Sequence, residues 1–220
     1  MIRALVFDFD GLILETETPA YETWAEIYRE HDHELPPDRW FDYIGREGGF
    51  FDAADHLAAL VGEGFDREAA RKRRDARKTE LIAALDVMVG VREYVGDAKR
   101  FGLRLAVASS SSRKWVLGHL ERLRLHTEWD AVLTRDDVAR TKPAPDLYLA
   151  AVKALGVAPQ EAVAFEDSAN GIAAAKAAGL LCVAVPNALT AAMDLSRADV
   201  RLGSLAETPL ERLLALLSAL

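Results

Sequence analysis

The chain has 220 residues, half of them hydrophobic and 28% charged, with 35 acidic against 27 basic side chains and a net charge of −8. This apolar content, with 14 Gly and 8 Pro, excludes a disordered tail protein or a collagen-like fibre, and the lone Cys182 excludes an internal disulfide. The acidic balance disfavours nucleic-acid or anionic-membrane partners, no stretch is long and apolar enough to span a bilayer, and acids interrupt the N-terminal apolar run before a signal-peptide core forms, so a cytoplasmic protein is expected.

Residues 4–7 form the first of five short apolar runs that read as buried parallel strands; the others are 103–108, 131–133, 163–165 and 181–185. After the first run the texture changes. From 16 to 85 no segment reads as a strand, while helical stripes recur. Thr18-Pro19 reads as an N-cap followed by Pro at the first helical position, with Tyr21, Trp24 and Tyr28 on one face. Phe50, Ala54, Leu57 and Val61 form a second face, and Trp24, Trp40, Phe41, Phe50 and Phe51 are expected to fill the core of this helical module. His31-Asp32-His33 has no further ligand at metal-site spacing and reads as a solvated turn. Arg71-Lys72-Arg73-Arg74, between Glu68 and Asp75, reads as a solvated helix face. The chain is expected to return to the core across 86–90.

Helical patterns separate the later strands. Val116, Leu120 and Leu123 follow the second; Pro145 opens a helix carrying Leu147, Ala151 and Leu155; Ser168 caps one that runs through Ile172 to a stop at Gly179. Cys182, in the last apolar run, reads as a buried structural thiol. Strands alternating with helices predict an α/β, Rossmann-like parallel sheet from residues 1–15 and 86–220, with an all-helical cap at 16–85 inserted where an α/β site acquires a lid.

Ligands of such sheets bind beyond the carboxyl ends of the strands, so the residues that terminate each run matter most. The first ends in Asp8-Phe9-Asp10-Gly11, the second in Ser109-Ser110-Ser111-Ser112, and the fourth in Glu166-Asp167-Ser168; Lys142 stands before Pro143 at a helix entry. Carboxylates, hydroxyls and one lysine converging at a sheet edge suit phosphoryl transfer with a divalent cation. Mg²⁺ favours one or two carboxylates plus water and phosphate, which makes Asp8 and Asp167 candidate direct ligands. An ionised Asp8 is also a competent nucleophile toward phosphorus. Asp10 can protonate the leaving oxygen and then take a proton from the hydrolytic water. Lys142 and Ser109, with Ser110 beside it, would hold the phosphoryl oxygens.

These four segments, in this order, resemble the motifs of the haloacid dehalogenase superfamily, and the helical insertion resembles the cap of its phosphoglycolate phosphatase and β-phosphoglucomutase-like subgroup. Asp8-Phe9-Asp10-Gly11 matches the first motif, Ser109 the second, Lys142-Pro143-Ala144-Pro145-Asp146 the third, and Glu166-Asp167-Ser168 with Asn170-Gly171 the fourth. The resemblance implies Asp8 as nucleophile and metal ligand, Asp10 as acid/base with its backbone carbonyl on the metal, Asp167 as the second protein ligand, and Glu166 beside it. Ser109, Ser110 and Lys142 would bind phosphate. Thr16, Asn170 and Arg46, the last in the glycine-containing segment 44–49, are candidate substrate or cap residues. The second aspartate argues against a dehalogenase. The mutase-like pattern has a lysine where this chain has Ser112, although Lys114 lies close by.

The expected function is a Mg²⁺-dependent phosphatase acting on a small phosphorylated metabolite through an aspartyl-phosphate on Asp8, as a monomer. The alternatives are a phosphosugar mutase and, from another class, a phospho-accepting signalling domain.

Overall fold

The computed structural model describes residues 1–41, 44 and 51–219. In chain order, strand β1 (Ala4–Phe7) is followed by helices α1 (Glu17–Glu30), α2 (Pro37–Phe41), α3 (Ala53–Val61) and α4 (Arg67–Ala83). Then come α5 (Val91–Arg100), β2 (Arg104–Ala108), α6 (Arg113–Arg122), β3 (Ala131–Leu133), α7 (Asp146–Leu155) and β4 (Ala162–Glu166). The chain closes with α8 (Ala169–Ala177), β5 (Leu181–Ala184), β6 (Val200–Arg201) and α9 (Leu210–Leu217).

The strands form one six-stranded sheet in the order β3-β2-β1-β4-β5-β6, and every pairing is parallel. The direction of winding reverses between β1 and β4, which opens a crevice at their carboxyl ends. Side-chain alternation divides the core between two faces. Leu5, Phe7, Leu105, Val107, Val163 and Phe165 meet α5, α6 and α9 on one side. Ala4, Val6, Ala106, Ala108, Ala164, Cys182 and Ala184 meet α7 and α8 on the other. The second face is mostly alanine, so it offers little side-chain bulk between its helices and the sheet. Cys182 is a fully buried thiol in that layer, and burial pushes its ionisation upward. No helix among the described residues is long and apolar enough to cross a membrane.

The helices between β1 and α5 bury a cluster of their own, which includes Trp24, Ile27, Tyr28, Trp40, Ile44 and Leu57, with Phe41 and Phe51 against it. The outgoing and returning connections run side by side: Leu14 forms an antiparallel bridge with Val87, and the Met88 N–H donates to the Ile13 carbonyl at 2.9 Å. Gly90, at φ +90°, ends the return; a Cβ there would lie 2.5 Å from the Ala206 nitrogen.

Two local expectations are corrected. Helix α1 begins at Glu17, not at Pro19, because Glu15 Oε1 accepts the N–H groups of Glu17 and Thr18 at 3.0 and 3.1 Å. A carboxylate before the helix thus takes the capping role expected of Thr18. The sixth strand, β6, has only two residues and no apolar run to announce it; pairing with β5 makes it a strand.

The polar segments expected to face solvent mostly do so and find partners, but Arg74 is only 11% exposed and its Nε is buried without a hydrogen-bond partner. His31 Nδ1 lies 2.9 Å from the Ile27 carbonyl, and Arg71, Arg73 and Arg74 pair with Asp52, Glu30 and Asp75, respectively. Phe50 and Arg46 lie outside the described residues, as do the other residues of segment 44–49 except Ile44.

Candidate active site

Asp8 follows β1 directly, its N–H donating to the Phe165 carbonyl of β4 at 3.0 Å. The adjoining strand β4 ends in Glu166 and the loop after it supplies Asp167, and both of these acids are fully buried. The turn before α7 sends Lys142 into the same space. Its Nζ lies 2.5 Å from Asp8 Oδ1 and 2.6 Å from Glu166 Oε1, and the side chain is only 1% exposed. Tyr148 of α7 donates to Glu166 Oε1 at 2.5 Å, and Ser168 Oγ donates to Glu166 Oε2 at 3.3 Å. Glu166 is therefore engaged at both oxygens. Gly171 makes room for it, since a Cβ there would fall 1.9 Å from Glu166 Oε2.

Asp167 is held differently. Its Oδ2 accepts from Asn187 Nδ2 at 2.9 Å, while its Oδ1 is buried with no hydrogen-bond partner. Gly11, at φ +79°, permits this approach; a Cβ would lie 2.2 Å from Asp167 Oδ2.

Asp8, Glu166 and Asp167 each bring an oxygen within 4.8 Å of the other two. With all three carboxylates ionised, the one ammonium that meets them among the described residues, Lys142, would leave two negative charges unmatched in a buried site. The titration shifts register this excess. Burial pushes Asp8 up to about 7, with Lys142 opposing and Glu166 and Asp10 adding to the rise. Asp167 is raised well above the ordinary carboxylate range by burial, then by the Asp8 and Glu166 charges. Burial lowers Lys142, but Asp8 and Glu166 outweigh it and leave the ammonium raised. The orphaned Asp167 oxygen, the all-oxygen donor set and the deficit of two positive charges fit a hard divalent cation such as Mg²⁺.

Asp10 is gripped by hydroxyls and an indole. Thr16 Oγ1 and Trp115 Nε1 each donate to Oδ1 at 2.9 Å, and Ser111 Oγ donates to Oδ2 at 2.6 Å, with Ser109 Oγ at 3.4 Å. Ser109 is almost fully buried after β2 and accepts the Ser111 N–H at 3.0 Å; Ser110 is half-buried in the same loop. Thr16 thus bonds Asp10 instead of capping α1. Asn170 Nδ2 donates to the Ile44 carbonyl at 2.8 Å, tying α8 to the inserted segment.

Sequence reasoning passed over Ser111, Trp115, Tyr148, Asn187, Glu17 and Lys78. Asn187 lies just past the end of β5, so the strand-end rule applied to the last strand would have found it. Trp115 and Tyr148 sit within helices, where periodicity marks them only as packing. Glu17 is half-buried, and its carboxyl is raised to about 8, first by burial and then by the Asp10, Asp8 and Glu15 charges, with Lys78 opposing. A carboxyl raised in the folded state takes up a proton that the unfolded chain has released, so it costs stability as pH climbs from about 4.5 to 8. Glu17→Gln is therefore expected to melt a few degrees higher than the parent at pH 8 and to match it near pH 4.5, both in EDTA. A gap of equal size at both pH values would remove this assignment.

The haloacid dehalogenase-like hydrolase family matches residues 2–179. YhcW of Bacillus subtilis (strain 168) is 44% identical over 97% of both chains. The validoxylamine A 7'-phosphate phosphatase of Streptomyces hygroscopicus subsp. limoneus is 33% identical over 94% of this chain and 96% of its own. Among solved structures, CbbY from Rhodobacter sphaeroides in complex with phosphate superposes with a TM-score of 0.69 and 31% identity, covering 94% of this chain and 96% of that one.

Proposed function

The chain belongs to the haloacid dehalogenase-like hydrolases and is a phosphatase, and from that premise we propose that it hydrolyses a small phosphorylated metabolite, with Mg²⁺ as cofactor and Asp8 as the phosphate acceptor. The observation that carries this reading is the buried group of Asp8, Glu166 and Asp167 around one lysine, with an Asp167 oxygen left without a partner. Asp8, Asp167 and the Asp10 backbone carbonyl would hold the cation, with Glu166 steering Lys142 behind them. The cation would neutralise phosphoryl oxygens and screen the approach of one anion to another.

The remaining work falls to side chains. Asp8 attacks phosphorus, and Lys142 and Ser109 hold the non-bridging oxygens as charge shifts toward the leaving group. Asp10 delivers a proton to the departing oxygen and later removes one from the water that cleaves the aspartyl-phosphate. The helices of 16–85 would act as a cap that excludes bulk water from the acyl phosphate. The compounds named with the relatives, a validoxylamine phosphate for the phosphatase and xylulose-(1,5)bisphosphate in complex with a mutant CbbY of Rhodobacter sphaeroides, favour a phosphorylated carbohydrate or a similar polyol. The mutase alternative is weaker: Ser112 caps α6 through the Trp115 N–H at 3.3 Å and leaves no lysine at that position.

The test is turnover of p-nitrophenyl phosphate and a panel of sugar phosphates after EDTA treatment. Activity should fall at least about 100-fold and return with added Mg²⁺, which should also raise the melting temperature. Undiminished phosphate release in EDTA would refute the metal-dependent reading. Isomer formation with little phosphate release from a sugar phosphate and a bisphosphate would favour the mutase.

A further inference from the structure

One face of α6 joins Asp10 to the inserted helices. Trp115, His119 and Arg122 follow one another at helical spacing. Trp115 Nε1 donates to Asp10 Oδ1 at 2.9 Å, and Lys78 Nζ of α4 sits over the same indole at 5.4 Å. The His119 ring meets the indole edge-on at 4.3 Å. At the far end Arg122 donates to the carbonyls of Ile82, Ala83 and Leu85, where α4 ends and the chain turns back to the core.

We propose that Trp115 is a positioning residue for the phosphatase reaction: its indole N–H fixes the orientation of the Asp10 carboxylate, and Lys78 on its ring face ties that orientation to the seating of the helical insertion. The inference rests on the reading of Asp10 as acid/base. Chemistry separates this donor from the others around Asp10. The hydroxyls of Thr16 and Ser111 can rotate to accept as well as donate, but an indole N–H only donates and does not titrate. Oδ1, facing the indole, is thereby held as an acceptor, while Oδ2 stays beside the Ser111 hydroxyl, which can turn either to donate or to accept. The indole is held in turn from its own backbone, because the Trp115 N–H is bound by the Ser112 side chain at the start of α6.

Trp115→Phe keeps a ring for Lys78 and His119 but deletes the N–H. The informative measurement is kcat/KM on two phosphomonoesters, an alkyl phosphate that needs leaving-group protonation and 2,4-dinitrophenyl phosphate, which does not. The variant is expected to lose about tenfold on the alkyl ester and less than twofold on the dinitrophenyl ester, with an unchanged melting temperature. Trp115→His, which restores a ring N–H, should recover part of the loss. Equal losses on both esters, or no loss on either, would overturn the role of Trp115. Asp10→Asn distinguishes the two levels: it should show the same selectivity with a larger loss. Selectivity in Asp10→Asn without any in Trp115→Phe sinks only the inference, whereas none in Asp10→Asn sinks the acid/base reading beneath it.

Discussion

Asp8→Asn is expected to cut phosphate release from p-nitrophenyl phosphate by roughly 1000-fold or more, because an amide oxygen cannot form the acyl phosphate that the carboxylate forms. The same substitution should not destabilise the metal-free protein. Asp8 belongs to a buried group with two more negative than positive charges, and its carboxyl is already pushed up to about 7 by burial and by its acidic neighbours. Removing one carboxylate relieves that repulsion, while the amide oxygen still accepts from Lys142. Thermal melts in EDTA should show Asp8→Asn at or above the parent. Activity within tenfold of the parent would eliminate Asp8 as the nucleophile, and a large drop in melting temperature would show that its charge is structural instead.

Lys142→Met should have the largest effect on stability. The ammonium is the cation in contact with both Asp8 and Glu166, at 2.5 and 2.6 Å, and its removal leaves two buried carboxylates facing each other. Breaking a buried pair by removing one partner costs about 3–5 kcal/mol, equivalent to a melting temperature lower by roughly 10 °C in a chain of this size. The loss should depend on pH. Without the lysine, which opposes the rise, the Asp8 carboxyl holds its proton to a higher pH in the folded state than in the unfolded chain, so stability falls as pH rises and that proton is forced off. Melts in EDTA should therefore show a larger deficit at pH 8 than at pH 5, and Mg²⁺ should recover part of it. A deficit equal at both pH values would mean that the lysine acts through packing alone.

Much of this architecture is legible in the chain because its determinants are local. The run at 4–7 is apolar on both faces, which only a strand covered on both sides requires, and β1 occupies that span with every residue buried. β3 likewise occupies 131–133, although its three residues are only half-buried at the edge of the sheet, and the neighbouring runs differ from β2, β4 and β5 by a residue at one or both ends. Asp8, Asp10, Ser109, Lys142, Glu166 and Asp167 could be picked out because each ends or follows a strand or precedes a helix, and parallel topology carries such positions to one edge. Where local chemistry competes, the reading fails. Glu15 outbids Thr18 for the first N–H groups of α1, and nothing in the spacing of Thr18-Pro19 reveals it.

By itself, then, the sequence determined the strand and helix order, the two-sided burial of the sheet and the set of acids and bases at its carboxyl edge, since these follow from periodicity and position along the chain. Only the tertiary structure decided what each of those groups faces. It paired Lys142 with Asp8 and Glu166, left one Asp167 oxygen without a partner, and brought Asn187, Tyr148 and Trp115 to the site from later elements. The physical reason is range. A strand or a cap is specified by residues a few positions apart, whereas the charge balance of a buried site is set by side chains as distant as Asp8 and Lys142, separated by 134 positions and joined by a single hydrogen bond.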